Sequence, residues 1–286
     1  MNKDLKAEFD CLLPSAQLTR RSFVVTALGA GFALATRPIM AQTAISTNAD
    51  GLLAGEVNIN GLAAYRAQPA GGANLPTILV VSEIFGVHEH IADICRRLAK
   101  LGYLAIAPEL FARYGDPRQM SNIQDILGGI IAKVPDHEVI ADLDACAAWA
   151  AKSGGDAQRL GITGFCWGGR ITWMYSAHNP MVKAGVAWYG RIDGELNDRT
   201  PRWPLEIIDD LKAPVLGLYG GKDQGIPLDD INLMADDLKA ADSPSRIHIY
   251  PDAGHAFHAD YRSSYRKEAA EDGWRRMREW LTSHGV

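Results

Sequence analysis

An alternation limits the fold of this chain more than any other feature. From Glu56 onward, short β-branched or apolar runs take turns with segments whose apolar residues recur at helical spacing. "EVNI" and "LAAYRAQ" flank Asn60-Gly61, a tight-turn dipeptide, and predict an antiparallel hairpin. "PTILVVSEIFG" (76–86) predicts a buried strand leaving into a loop. "HIADICRRLAKLG" predicts a helix closed by Gly102, and "YLAIAP" a strand stopped by Pro108. A helix over 137–155 ends on two glycines. Then come "RLGITGF" (strand), "CWGGRITWMYSAH" (helix), "KAGVAWYG" and "APVLGLYGGKD" (strands), "LDDINLMADDLKAA" (helix), "SRIHIYP" (strand) and a last helix near 264–283. Strands alternating with helices imply a mostly parallel sheet covered on both faces, here with the hairpin making it mixed.

The chain has 286 residues, 47% of them hydrophobic, enough for a sizeable core, and no Pro/Gly/Ser linker divides it. Residues 42–286 are expected to form a single domain. The formal charge of −5 argues against a nucleic-acid partner, since phosphate binding needs a basic surface. The basic residues of "WRRMREW" sit at helical spacing and read as one solvated face.

The first 41 residues read differently. Arg20 and Arg21 precede an uncharged stretch over 22–36, and Ala41 stands as a cleavage residue. This order resembles a twin-arginine export signal. The apolar stretch is about 15 residues, short of the roughly 20 that span a bilayer. The expectation is export to the periplasm or beyond, with membrane contact only during passage through the export machinery. The alternative is an uncleaved anchor. Of four cysteines, Cys11 leaves with the signal, and the remaining odd number cannot pair fully. Cys95 and Cys146 lie in predicted helices and read as buried small residues.

Ligands in such sheets bind beyond the carboxyl ends of the strands. Cys166 stands there in Gly164-Phe-Cys-Trp-Gly168, between a strand and a helix, the context of a nucleophile elbow. Its sulfur would meet the positive end of a helix dipole, which favours thiolate. Asp223 follows the next-to-last strand and His255 the last. Nucleophile, acid and histidine thus come in the order of α/β-hydrolases. His255 would take the thiol proton while Asp223 steadies the imidazolium. The backbone N–H groups of Trp167 and Ile84 are the expected oxyanion donors. Glu83 ends an apolar strand, an expensive position for a carboxylate without a partner.

"EIFGVHEHI", "GFCWGG", "GGKD" and "AGHAFHADYR" together resemble the dienelactone hydrolase (carboxymethylenebutenolidase) family, from about Glu56 to the C-terminus. The resemblance implies an α/β-hydrolase fold and a Cys–His–Asp triad cleaving small lactones or esters, without metal or organic cofactor. It assigns Cys166 as nucleophile, Asp223 and His255 as its partners, and Glu83 as a carboxylate touching the resting thiol. Arg113 matches one of two arginines that hold a substrate anion. The second has no counterpart: Ala259 stands there, after His258, a further candidate for the pocket, and before Arg262. Trp167, Trp188 and Tyr189 could shape the pocket, though core packing is the safer reading. Competing readings are a general carboxylesterase or thioesterase on the same triad, and a non-catalytic binding protein of this fold.

Overall fold

The computed structural model describes residues 44–286, so the proposed signal and its cleavage site lie outside the described residues. Strands β1 (Leu52–Ile59) and β2 (Leu62–Pro69) form the antiparallel hairpin. Asn60 and Gly61 both take positive φ, 54° and 93°, as a turn matching strand twist requires. The other strands are β3 (Leu75–Val81), β4 (Leu104–Pro108), β5 (Gly155–Phe165), β6 (Val182–Trp188), β7 (Val215–Gly220) and β8 (Arg246–Tyr250). All eight join one sheet in the order β1-β2-β4-β3-β5-β6-β7-β8. It is antiparallel from β1 to β4 and parallel from β4 to β8.

Six helices surround this sheet among the described residues: α1 (Glu89–Lys100), α2 (Ile123–Gly129), α3 (Asp136–Lys152), α4 (Trp167–His178), α5 (Leu228–Ala240) and α6 (Lys267–Ser283). Alternation along β3 divides the core in two, because successive strand residues point to opposite faces. Ile78 and Val80 pack with Ile91 and Leu98 of α1 and with Met277 and Leu281 of α6. Leu79 and Val81 pack with Leu143 and Cys146 of α3 and with Ile171 and Tyr175 of α4. Cys95 and Cys146 are buried small residues, as expected. Burial pushes both thiols up, that of Cys146 to about 12.

Some boundaries differ from the sequence reading. β5 begins at Gly155 rather than near Arg159, because Gly155 already pairs with Leu75 before a register shift in β3. α6 starts at Lys267, since Ser264 donates its hydroxyl to the Ala256 carbonyl and ties the preceding stretch to the His255 loop. Helix α2, held by Asn122 accepting from the Asp125 N–H, has no equivalent among the predicted elements.

Candidate active site

The carboxyl ends of the parallel strands bring the predicted groups to one edge of the sheet. Cys166 caps α4 at φ 54° and ψ −118°, a conformation in which an L side chain is held only by its surroundings. Its N–H donates to the Trp188 carbonyl (3.0 Å), and its carbonyl accepts from the Gly169 N–H (2.8 Å). The glycines make the turn physically available. A Cβ on Gly164 would run into the Gly168 carbonyl, and one on Gly168 into the Val81 and Ser82 carbonyls. The start of α4 therefore lies directly against the end of β3, and Cys166 is 9% exposed.

Asp223, in the turn after β7, takes the Gly225 N–H on Oδ1 (3.0 Å) and His255 Nδ1 on Oδ2 (2.7 Å). Both side chains are buried. With Nδ1 donating to the carboxylate, Nε2 becomes the ring nitrogen that carries the reactive lone pair. Tyr189 presents its ring edge-on to His255, centroids 5.2 Å apart. Its backbone has φ 39°, rare for a bulky residue, and its carbonyl-side neighbour Gly190 packs against the Gly169–Arg170 backbone.

The oxyanion donors expected from the sequence fit this arrangement. Ile84 follows β3 and Trp167 opens α4, the two segments in contact at Gly168. Among the described residues no acceptor meets the N–H of Ile84 or of Trp167.

Glu83 is 1% exposed, and its partner is His88, whose Nε2 lies 3.2 Å from Oε2. Burial alone would raise the Glu83 carboxyl. The His88 hydrogen bond and the charges of His88 and His90 override it and hold the group at about 2. Glu83 Oε1 has no hydrogen-bond partner among the described residues. The carboxylate is therefore not bonded to the Cys166 thiol, which corrects the contact expected from the resemblance: the imidazole supplies a stronger donor than a thiol. Behind this pair, His90 Nδ1 meets Asp260 Oδ1 (3.1 Å), Asp260 Oδ2 takes Arg97 (2.6 Å), and Arg97 also reaches Asp93 (2.5 Å). The network ties the stretch after His255 to α1.

Two residues assigned to substrate lie elsewhere. Arg113 forks onto Asp142 of α3 with both terminal nitrogens, at 2.6 and 2.7 Å, and its charge is matched there. His258 is buried among aromatic rings, stacked on Phe165 (5.4 Å) and Trp274 (5.7 Å) and 4.5 Å from Trp188. Burial drives its basicity well down, so the ring sits neutral in the core instead of facing a pocket. Trp188 is core as well, donating Nε1–H to Thr163 (3.1 Å).

Sequence reasoning missed His88, His90, Asp260 and Tyr261 as members of the site. The signal for His88 was present: a carboxylate ending an apolar strand needs a partner, and His88 stands five residues on.

A sheet in this order, with an elbow cysteine and an Asp–His pair at its carboxyl edge, defines an α/β-hydrolase. The family model for dienelactone hydrolases matches residues 62–285, and the chain belongs to that family. It is similar to a Methylorubrum extorquens protein provisionally designated a carboxymethylenebutenolidase, 57% identical over 98% of each chain. A protein of Escherichia coli K12 with the same provisional designation is 53% identical over 92% of this chain and 98% of its own. The crystal structure of a provisionally designated dienelactone hydrolase from Klebsiella pneumoniae superposes with a TM-score of 0.79 at 55% identity, covering 81% of this chain and 98% of that one. The protein is thus a hydrolase.

Proposed function

We propose that the protein cleaves a small lactone or carboxylic ester through Cys166, His255 and Asp223. His255 Nε2 takes the proton from Cys166 Sγ, and the thiolate attacks the carbonyl carbon. The oxygen becomes an oxyanion between the Ile84 and Trp167 N–H groups. Collapse breaks the carbon–oxygen bond, and the imidazolium returns its proton to the leaving alkoxide, which in a lactone stays tethered to the acyl group. Water, deprotonated by His255, then hydrolyses the thioester and regenerates the thiol. Glu83 is a buried anion nearby.

The observation carrying this reading is the 2.7 Å Asp223–His255 pair at the carboxyl edge of the sheet that also carries a cysteine at positive φ. Cys166→Ala is expected to abolish turnover of activated esters and lactones while the circular dichroism spectrum is retained, and iodoacetamide should label Cys166 in the parent. Undiminished turnover in the variant would remove the reading. Short esters should be preferred over long-chain ones, which separates it from a general carboxylesterase.

The working place proposed is outside the cytoplasm, after twin-arginine export on Arg20 and Arg21. The native protein should then have a mass corresponding to a start near Gln42. A full-length mass counts against export with cleavage.

A further inference from the structure

The buried polar atoms of the site without a hydrogen-bond partner among the described residues include Glu83 Oε1, Tyr189 Oη and Tyr261 Oη. All three side chains are more than nine-tenths buried, at 1%, 0% and 6% exposure. Buried polar atoms left unmatched are uncommon, and several in one place call for an occupant.

They share one place. Tyr261 lies edge-on to His88 (centroids 5.0 Å), and His88 holds the other oxygen of Glu83. Tyr189 lies edge-on to His255. Glu83, Cys166 and the Arg262 cation all lie within electrostatic reach of both tyrosines, and Tyr261 within reach of Tyr189. The trio therefore clusters around His88 and His255.

Their chemistry selects the occupant. Burial raises both phenols well above their ordinary range, so each keeps its proton as a donor. Glu83 Oε1 is an acceptor only. The group that matches two donors and one acceptor is a hydroxyl, of water in the resting site and of an alcohol that displaces it: its O–H serves the carboxylate, and its two lone pairs serve the tyrosines. A carboxylate there would face the Glu83 anion, and an ether or ketone would leave Glu83 unmatched. Glu83 directly precedes Ile84, a proposed donor to the carbonyl oxygen, so the alcohol belongs to the acyl half of the substrate.

We infer that Glu83 Oε1 and the hydroxyls of Tyr189 and Tyr261 form a subsite for a hydroxyl on the acyl group, making hydroxy-acid esters or lactones the preferred substrates. This rests on the hydrolase reading above.

The test compares kcat/KM for the 4-nitrophenyl esters of hydroxyacetic, acetic, methoxyacetic and malonic acids on the full chain. The hydroxyacetate ester should lead the acetate and methoxyacetate esters by tenfold or more, a margin on the order of one buried hydrogen bond. Tyr189→Phe and Tyr261→Phe should each cut that hydroxy-to-acetate ratio about tenfold. The ratio is independent of how much of a sample is folded, so poor folding does not blur the outcome. Equal handling of the hydroxy, plain and methoxy esters, a preference for the malonate half-ester, or an undiminished ratio in both variants would overturn the subsite. Cys166-dependent turnover without the ratio would overturn the subsite alone. No Cys166-dependent turnover of any ester would take the hydrolysis reading with it.

Discussion

Glu83 and His88 form a buried contact at the end of β3, 3.2 Å between Oε2 and Nε2. It fixes a negative charge in the interior, within electrostatic reach of Tyr189 and Tyr261.

That charge should be visible in acid unfolding. Glu83 and Asp260 are each held at about 2 in the folded protein, below their ordinary values. Groups depressed on folding add stability above their unfolded values, and that stability is lost as pH falls through the folded ones. Urea unfolding between pH 5 and 2.5 should show it disappearing, with Glu83 contributing on the order of 3 kcal/mol. Glu83→Gln should flatten the decline. Equal slopes in parent and variant would contradict the assignment.

Removing the imidazole should act in the opposite sense on the same group. In His88→Ala, Glu83 loses its donor, and its ionisation moves to higher pH. We expect a destabilisation of about 3 kcal/mol near neutral pH, because one half of a buried pair is left alone. The acid limb of the kcat/KM profile should rise by about one pH unit. A profile superimposable on that of the parent would mean that Glu83 does not sense His88.

The elbow makes a steric prediction. A methyl group on Gly168 meets the carbonyls of Val81 and Ser82, backbone at the end of β3 that cannot swing away as a side chain could. Gly168→Ala should cost about 3 kcal/mol in chemical denaturation. Gly128 in α2 has open space around it. Gly128→Ala should instead stabilise by about 0.5–1 kcal/mol.

Arg113 gives a prediction about charge on the substrate. Its guanidinium is matched by Asp142. Arg113→Ala should therefore leave the KM ratio of carboxylate-bearing to neutral esters within about twofold, the scale of a screened surface charge. Asp142→Asn should release the arginine and lower that ratio. A large rise in the ratio for Arg113→Ala would show that the fork opens to receive substrate.

Much of the fold was legible because the sheet is written in local periodicity. Each parallel strand is a short apolar run bounded by a helix, and the Asn60-Gly61 turn is self-contained. Cys166, Asp223 and His255 were legible for a related reason, since each directly follows a strand. The contacts that complete the site were not, because their partners are brought together by the whole fold. Asp260 meets His90 and Arg97 across 170 and 163 residues. Arg113 meets Asp142 across 29. His258 reads in the sequence as a candidate for the pocket because it stands three residues after His255, whereas packing between Phe165 and Trp274 makes it an aromatic plate.

The turn at residue 166 is defined by its backbone torsions and by the small residues around it, none of which concern the element carried beyond Cβ. The scaffold thus specifies a location and leaves the identity of the atom beyond Cβ open. Exchanging sulfur for oxygen there is a change of acidity and polarisability at constant architecture, so the proposed thiol chemistry can be compared with that of a hydroxyl within one protein without a structural confound.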